Sequence, residues 1–332
     1  MKVAIFDIHK FERPIFEELR PRNELEIQYF DFRLTEETAH LVSGCGVVCA
    51  FAHDKLNAKV LKILQSRGVK LIALRSAGFN HVDLVAARSF GLTVVRVPNY
   101  SPYSVAEHAV ALLLALNRNI CRASARVRDL NFSLDGLVGF DLHGKVVGVI
   151  GTGRIGTVFA RIMAGFGCKI LAFDLQPDPA LASSIGFSYV PLDELYAQSA
   201  IISLHVPLNS SSKHLVSEGA FKKMQQGVML LNTSRGALID TPALIAALKT
   251  GHVGAAGLDV YEEEENIFFQ DLSGSVLQDD VLARLMTFPN VLITAHQGFL
   301  TNEALRNIAQ TTLENIRDFS LGVHLKNEVV AP

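Results

Sequence analysis

Through the first hundred residues, short apolar runs alternate with polar, helix-like stretches. The runs at 3–6, 25–30, 46–51, 71–75 and 93–97 have the length and composition of buried strands. Residues 55–66, between two of them, repeat apolar side chains at helical spacing. Strand–helix alternation predicts a parallel sheet covered on both faces. Residues 101–129 break the rhythm. Ser101 followed by Pro102 is a helix-start signal, and Ser104 with Glu107 has the spacing of a capping box. The run VALLLALNRNI that follows is apolar nearly all round. It predicts a buried helix, serving either as a hinge and subunit-contact element or as a plain core helix.

A second alternating block starts at Lys145. Its apolar runs are KVVGVI, KILAF, AIISLHV, GVMLLNTS, GAAGLDV and NVLITAH, and a last helical pattern covers 302–319. The fold class expected is α/β, with two doubly wound domains, flavodoxin-like and Rossmann-like. If the tail returns to the first domain, that domain is discontinuous. It then comprises 1–100 plus 300–332, and the second comprises 101–299.

Composition narrows the function. The 332 residues are 49% apolar and 19% charged, which excludes intrinsic disorder. A net charge of −2 gives no basic surface for nucleic acid or anionic lipid. Cys45, Cys49, Cys121 and Cys168 match neither a metal site nor a redox pair. No metal is expected, and the thiols read as reduced ones in a cytoplasmic protein. Asp7 interrupts the N-terminus before a signal-peptide core forms. The apolar stretch at 109–116 is far short of the ~20 residues of a membrane span.

The strongest motif is Gly151-Thr152-Gly153-Arg154-Ile155-Gly156. It follows an apolar strand and opens an amphipathic segment, and the next strand ends at Asp174. In that order the elements form a dinucleotide fingerprint. Gly151 makes the tight turn, Gly153 lets backbone approach the pyrophosphate, and Gly156 packs helix on strand. The helix N-terminus attracts the anion. Asp174 accepts from the adenosine ribose and repels a 2′-phosphate, which favours NAD over NADP.

Three polar sites follow predicted strands of the second block, where an open parallel sheet holds its ligand. They are Arg235, an acidic residue in GLDVYEEEE (residues 257–265), and His296. An arginine clamps a carboxylate bidentately, and a histidine exchanges protons. A carboxylate beside the histidine fixes its tautomer. Arg235 also fits a cap or surface position, His296 a loop histidine, and the four glutamates a solvated acidic turn. Spacing does not choose among the glutamates. In the first block, Ser76, Ala77 and Gly78 follow a strand and suit a backbone nest for a carboxylate, or an ordinary turn.

Taken in order, RSAGFNHVDL, VPNYSPYSVAEHA, GTGRIG, LNTSRGALID, GLDVYEEE and AHQGF resemble the D-isomer-specific 2-hydroxyacid dehydrogenase family, most of all its fermentative, lactate-forming branch. The resemblance spans essentially the whole chain. It implies two domains with a cleft between them, NAD as cofactor, and reversible reduction of pyruvate to D-lactate. By resemblance Arg235 orients the substrate, His296 is the general acid and base, and Glu264 pairs with it, with Glu262 as the fallback. The cofactor set carried over is Arg154, Ile155, Asp174, Val206, Pro207, Ser212, Thr233, Ser234, Arg235 and Asp259. The substrate set adds Phe51, Ser76, Ala77, Gly78, Tyr100 and Phe299. Ser212 replaces an asparagine of several relatives, Ala295 a proline, and Phe51 a tyrosine of some lactate enzymes. Family members imply a homodimer or homotetramer. Two other readings fit the motifs: a dehydrogenase for a larger 2-oxo acid or hydroxypyruvate, and an NAD-sensing corepressor-like binding protein.

Overall fold

A computed structural model describes residues 1–21 and 24–330. The last two residues of the expected tail, 331 and 332, lie outside the described residues. The chain divides into two compact units, Met1–Ser101 with Leu300–Pro332, and Pro102–Phe299.

The first unit is built on five strands, β1 (Lys2–Ile5), β2 (Glu26–Tyr29), β3 (Val47–Ala50), β4 (Leu71–Leu74) and β5 (Thr93–Val95). They pair in parallel in the order β2-β1-β3-β4-β5. Helices α1 (Arg13–Leu19), α2 (Ala58–Ser66) and α3 (Leu84–Ser89) join them. Successive side chains of a strand face opposite ways. Val3 and Ile5 therefore join one core with α1 and the C-terminal helix. Ala4 and Phe6 join the other core, with α2 and α3. Asn57 and Asp83 cap α2 and α3 by accepting from Val60 N and Ala86 N. The C-terminal helix Asn302–Ser320 buries Leu305, Ile308, Ala309, Leu313 and Ile316 at helical spacing. Beyond it the chain returns to β5, where Val329 N donates to Val94 O at 2.8 Å.

The second unit opens with α4 (Pro102–Asn117) and α5 (Ile120–Arg128). The single helix expected over 101–129 is thus two. Asn119 between them is left-handed (φ 50°), a conformation asparagine tolerates. The helix starts at Pro102, so Ser104 lies within its first turn and not at the capping position. The apolar face of α4 packs within its own unit, on the sheet and the helix after the glycine loop, as a core helix does. Exposed apolar side chains come afterwards. α5 buries nothing, and Leu130, Phe132, Leu134 and Val138 are each more than two-thirds exposed.

The sheet follows with β6 (Val146–Ile150), α6 (Arg154–Gly165), β7 (Lys169–Phe173), α7 (Pro179–Ile185), β8 (Ser188–Tyr189), α8 (Leu192–Gln198), β9 (Ile201–Leu204) and α9 (Glu218–Phe221). It ends with β10 (Val228–Asn232), α10 (Thr241–Lys249), β11 (Val253–Leu258), α11 (Asp280–Met286) and β12 (Val291–Ile293). All seven strands are parallel, in the order β12-β11-β10-β9-β6-β7-β8. The order reverses beside β6, which places the switch point at the glycine loop. Both units are doubly wound α/β, as expected. Among the described residues, no helix is long and apolar enough to cross a membrane.

Candidate active site

The glycine loop shows three different demands. Gly151 has φ +94°, and a Cβ there would lie 2.5 Å from the His205 carbonyl oxygen. Gly156 would place a Cβ on the Gly151 carbonyl, so only glycine lets α6 start this close to β6. Gly153 (φ −63°) would meet nothing within 4 Å. Packing therefore does not require glycine at 153, but a phosphate lying on the backbone does. Helices α2, α3, α7, α10 and α11 each carry a side-chain cap, whereas α6 has none. Its first amides remain for an anion.

Asp174 ends β7 and accepts from Thr152 N at 2.7 Å, Thr152 Oγ1 at 3.1 Å and Gln176 N at 2.9 Å. Burial disfavours its charge, but the Gln176 and Thr152 donors outweigh it and hold the carboxyl below its usual range. Farther along the sheet, the buried Thr233 hydroxyl has no hydrogen-bond partner among the described residues. Ser234 Oγ donates to Leu204 O at 2.8 Å. An ionised carboxylate, a glycine-lined anion site and an unsatisfied hydroxyl fit a dinucleotide. Val206 and Pro207 follow β9. The Ser212 hydroxyl is committed to its own turn, donating to Pro207 O at 2.7 Å and accepting from Asn209 N at 2.9 Å.

Arg235, Glu264 and His296 follow β10, β11 and β12, three neighbouring strands. Strands ~4.8 Å apart bring the outer two within ~10 Å, a span one small substrate can bridge. Asn232 ends β10 and holds the arginine turn from both sides. Its Nδ2 donates to Arg235 O at 2.9 Å, and its Oδ1 accepts from Ser234 N at 3.0 Å. Gly236 packs directly on the backbone of Tyr261 and Glu262.

Two of the four glutamates face inward and carry distinct pairs. Glu264 Oε1 meets His296 Nδ1 at 2.7 Å, and its Oε2 accepts from Tyr261 N at 3.0 Å. Glu262 meets His214 Nε2 at 2.6 Å and accepts from Thr241 Oγ1 at 3.2 Å. Glu263 and Glu265 are exposed.

Asp259 organises the histidine loop. It is 1% exposed and accepts from Thr294 Oγ1 at 2.6 Å and from Gln297 N and Gly298 N at 2.8 Å. Its carbonyl accepts from His296 N at 2.6 Å. His296 itself is left-handed at φ 53°, an uncommon state for a non-glycine residue that these bonds sustain. His108 of α4 reaches Thr294 Oγ1 at 3.0 Å and Asp259 at 3.3 Å. Burial opposes charge on Asp259, but the His108 and Thr294 bonds overcome it and keep its carboxyl low. His205, beside the glycine loop, is pushed by burial down to about 3 and stays neutral.

His108, Thr294, Asn232 and His214 were not singled out in the sequence. The only signal was a histidine within an otherwise apolar helix face and an asparagine ending a buried strand. Phe299, also in this unit, is buried.

The remaining substrate candidates belong to the first unit. Phe51 follows β3 and is buried. Ser76, Ala77 and Gly78 follow β4. None of the three is left-handed, so an anion here would meet turn backbone and not an alternating left-handed one. Their carbonyls are tied back, to Val97 N, Arg96 Nη1 and Ser76 Oγ. The polar edge this turn can offer an anion is its amides. Tyr100 O accepts from Asn307 Nδ2 at 2.5 Å.

A parallel doubly wound sheet with this glycine loop and a histidine–carboxylate pair at its carboxyl edge defines an NAD-dependent oxidoreductase. Residues 110–298 match the family model "D-isomer specific 2-hydroxyacid dehydrogenase, NAD binding domain". The chain is 50% identical over 330 residues to D-lactate dehydrogenase of Escherichia coli, covering 99% of this chain and 100% of that one. It is similar to the pyruvate reductase of Chlamydomonas reinhardtii, at 45% identity, TM-score 0.92 and 98% of each chain. It is also similar to D-lactate dehydrogenase of Aquifex aeolicus complexed with NAD and lactic acid, at 33% identity, TM-score 0.87 and 99% of each chain. The chain belongs to the D-isomer-specific 2-hydroxyacid dehydrogenase family, and it is an NAD-dependent enzyme.

Proposed function

We propose that this enzyme interconverts pyruvate and D-lactate. The observation that carries the reading is the 2.7 Å pair of Glu264 and His296 beside the Arg235 turn. The names of the E. coli and A. aeolicus relatives support lactate as the hydroxy acid.

In this reading Arg235 forks onto the pyruvate carboxylate and aligns the ketone. The amides of Ser76, Ala77 and Gly78 share that carboxylate. Glu264 accepts a hydrogen bond from the Nδ1–H of the His296 imidazolium, so the ring presents its Nε2–H to the C2 oxygen. When bound, reduced NAD supplies the hydride that makes the new C2–H bond. The carbonyl π electrons go to oxygen, and His296 gives that oxygen its proton, leaving a neutral imidazole. The reverse direction returns the proton to His296. By the family resemblance Phe51, Tyr100 and Phe299 are assigned to the side-chain end, where their bulk favours a methyl group. Asp174 selects NAD. The apolar arm over 120–140 supports self-association as a homodimer or homotetramer.

The test is NADH oxidation with pyruvate, 2-oxobutyrate, 2-oxoisocaproate, phenylpyruvate and hydroxypyruvate, with chiral analysis of the product. Pyruvate is expected to be best and the product D-lactate. A larger acid in first place overturns the substrate and keeps the chemistry. NADH binding with no turnover of any of these acids overturns the proposed reaction and favours an NAD-sensing binding role.

A further inference from the structure

Beneath the Phe51 turn lies a buried charge network that the proton chemistry does not use. Arg75 ends the β4 segment and is 1% exposed. Its Nε donates to Glu12 Oε1 at 3.0 Å, and its Nη2 donates to Phe6 O and Asp7 O at 3.0 Å. The guanidinium lies 5.1 Å from the centroid of the Phe51 ring, so that ring rests on a fixed cation. His9 meets the same ring edge-on at 5.4 Å.

Asp54, also 1% exposed, fixes the backbone of that residue. Its Oδ2 accepts from Phe51 N and its Oδ1 from Leu34 N, both at 2.6 Å. Both bonds are answered. Asp54 N donates to Phe51 O at 3.3 Å, and Lys55 N donates to Leu34 O at 2.9 Å. The four-residue turn is closed in both directions and stitched to the Leu34 segment, whose side chain is in the core. Burial pushes the Asp54 carboxyl up to about 7, against the pull of the two amides and Arg75. A neutral side chain would close such a turn at lower desolvation cost. What the carboxyl group adds is two short bonds, one to the Phe51 amide and one to the Leu34 amide, that fix the Phe51 backbone against the Leu34 segment.

We infer that Asp54 is a positioning residue for substrate selection: by clamping the Phe51 backbone it keeps that ring from retreating and so limits the acid to a small side chain. This rests on the reading of Phe51 as a pocket wall. A wall backed by Arg75 and clamped at its amide cannot yield to a branched acid. Loosened, it admits one and grips a methyl group less well.

The experiment compares wild type, Asp54→Asn and Phe51→Leu, each checked for folding by circular dichroism. kcat and KM are measured for pyruvate and 2-oxoisocaproate, and NADH affinity by fluorescence. One methylene in a pocket is worth ~10–200-fold, so partial release in Asp54→Asn is expected to lower the pyruvate preference by about tenfold. The change falls mainly on KM, while NADH affinity is unchanged. If Phe51→Leu shifts the preference and Asp54→Asn does not, the inference is overturned and the pocket reading stands. If neither shifts it, both fall. Equal losses for the two acids in Asp54→Asn make the residue merely structural and overturn the inference. Should Asp54→Asn not fold, Asp54→Ser keeps a hydroxyl acceptor beneath the turn and is read the same way.

Discussion

Alanine at Gly236 is expected to displace the arginine turn while leaving the sheet intact. A Cβ on Gly236 would lie 2.0 Å from the Tyr261 carbonyl carbon, 2.1 Å from its oxygen and 2.3 Å from Glu262 N. All three are backbone atoms, so no rotamer change relieves the clash. Real Cβ contacts essentially never fall below 3.0 Å, so the two turns must part by at least ~1 Å. One turn carries Arg235 and the other leads to Glu264. A 1 Å misplacement of positioning groups costs on the order of 10²-fold in rate, or ~2.7 kcal/mol at the transition state. Overpacking of this kind costs roughly 1–3 kcal/mol of stability, which a domain this size survives with a lowered Tm. The glycine loop lies on β6, with β9 between it and β10, but Thr233 and Ser234 of the cofactor set adjoin the displaced turn, so NADH affinity is expected to weaken far less than kcat/KM falls. The assay is steady-state reduction of pyruvate with NADH titration by fluorescence and a thermal melt. A folded Gly236→Ala enzyme with wild-type kcat/KM would refute the claim that this backbone contact sets the position of Arg235.

Removing His296 as His296→Ala is expected to cost about 10²–10⁴ in kcat, the usual worth of a general acid, with NADH binding retained; near-normal turnover would show the proton comes from elsewhere. Asp174→Ser removes the carboxylate proposed to meet the ribose, so NADPH is expected to gain relative to NADH in kcat/KM, and an unchanged ratio counts against that role. Paired Leu134→Asp and Val138→Asp substitutions put charge on the exposed apolar arm and are expected to lower the mass seen by light scattering; an unaltered mass removes the arm from the contact. Asp54 has a folded carboxyl near 7 against ~3.9 unfolded, so its contribution to stability is full below the lower value and lost as pH rises through the upper. Asp54→Asn cannot titrate, so the Tm of wild type relative to that of the variant is expected to fall from pH 5 to pH 8, and a relative rise contradicts the upward shift.

The sheets were legible because their central strands, unlike the edge strands β2 and β12, are buried on both faces. Such strands read as unbroken apolar runs, and all the runs in the two blocks became strands of parallel sheets. The long apolar helix was less legible. Nothing in a hydrophobic run marks a break at Asn119, where a left-handed residue redirects the chain. Nor does apolarity say what covers a face. Ala106, Ala109, Val110, Leu112 and Leu113 of α4 are covered by the unit's own core, whereas Leu130, Phe132, Leu134 and Val138, in an unremarkable loop sequence, are the exposed ones. The two-residue strand β8 also escaped the pattern, since two residues carry no period.

The candidate site was legible where chemistry needs a rare residue type at a strand end, and illegible where backbone geometry does the selecting. Arg235 and His296 stood out by position. Asp259 and the glutamates did not separate, because a run of carboxylates has the same composition whether solvated or buried. In the fold, three carboxylates within six residues are each assigned by topology. Asp259, still on the line of β11, points at the amides of the neighbouring loop and holds His296 in its left-handed state. Glu262 turns to His214 and Glu264 to His296. The two between and after them, Glu263 and Glu265, face solvent. Each inward carboxylate meets a histidine or backbone amides, the condition under which a charge of that kind can be partly buried. Selecting the working glutamate therefore requires the pairing of β11 with β12, which joins residues 35 positions apart. That pairing is tertiary information, absent from any local pattern in the acidic run.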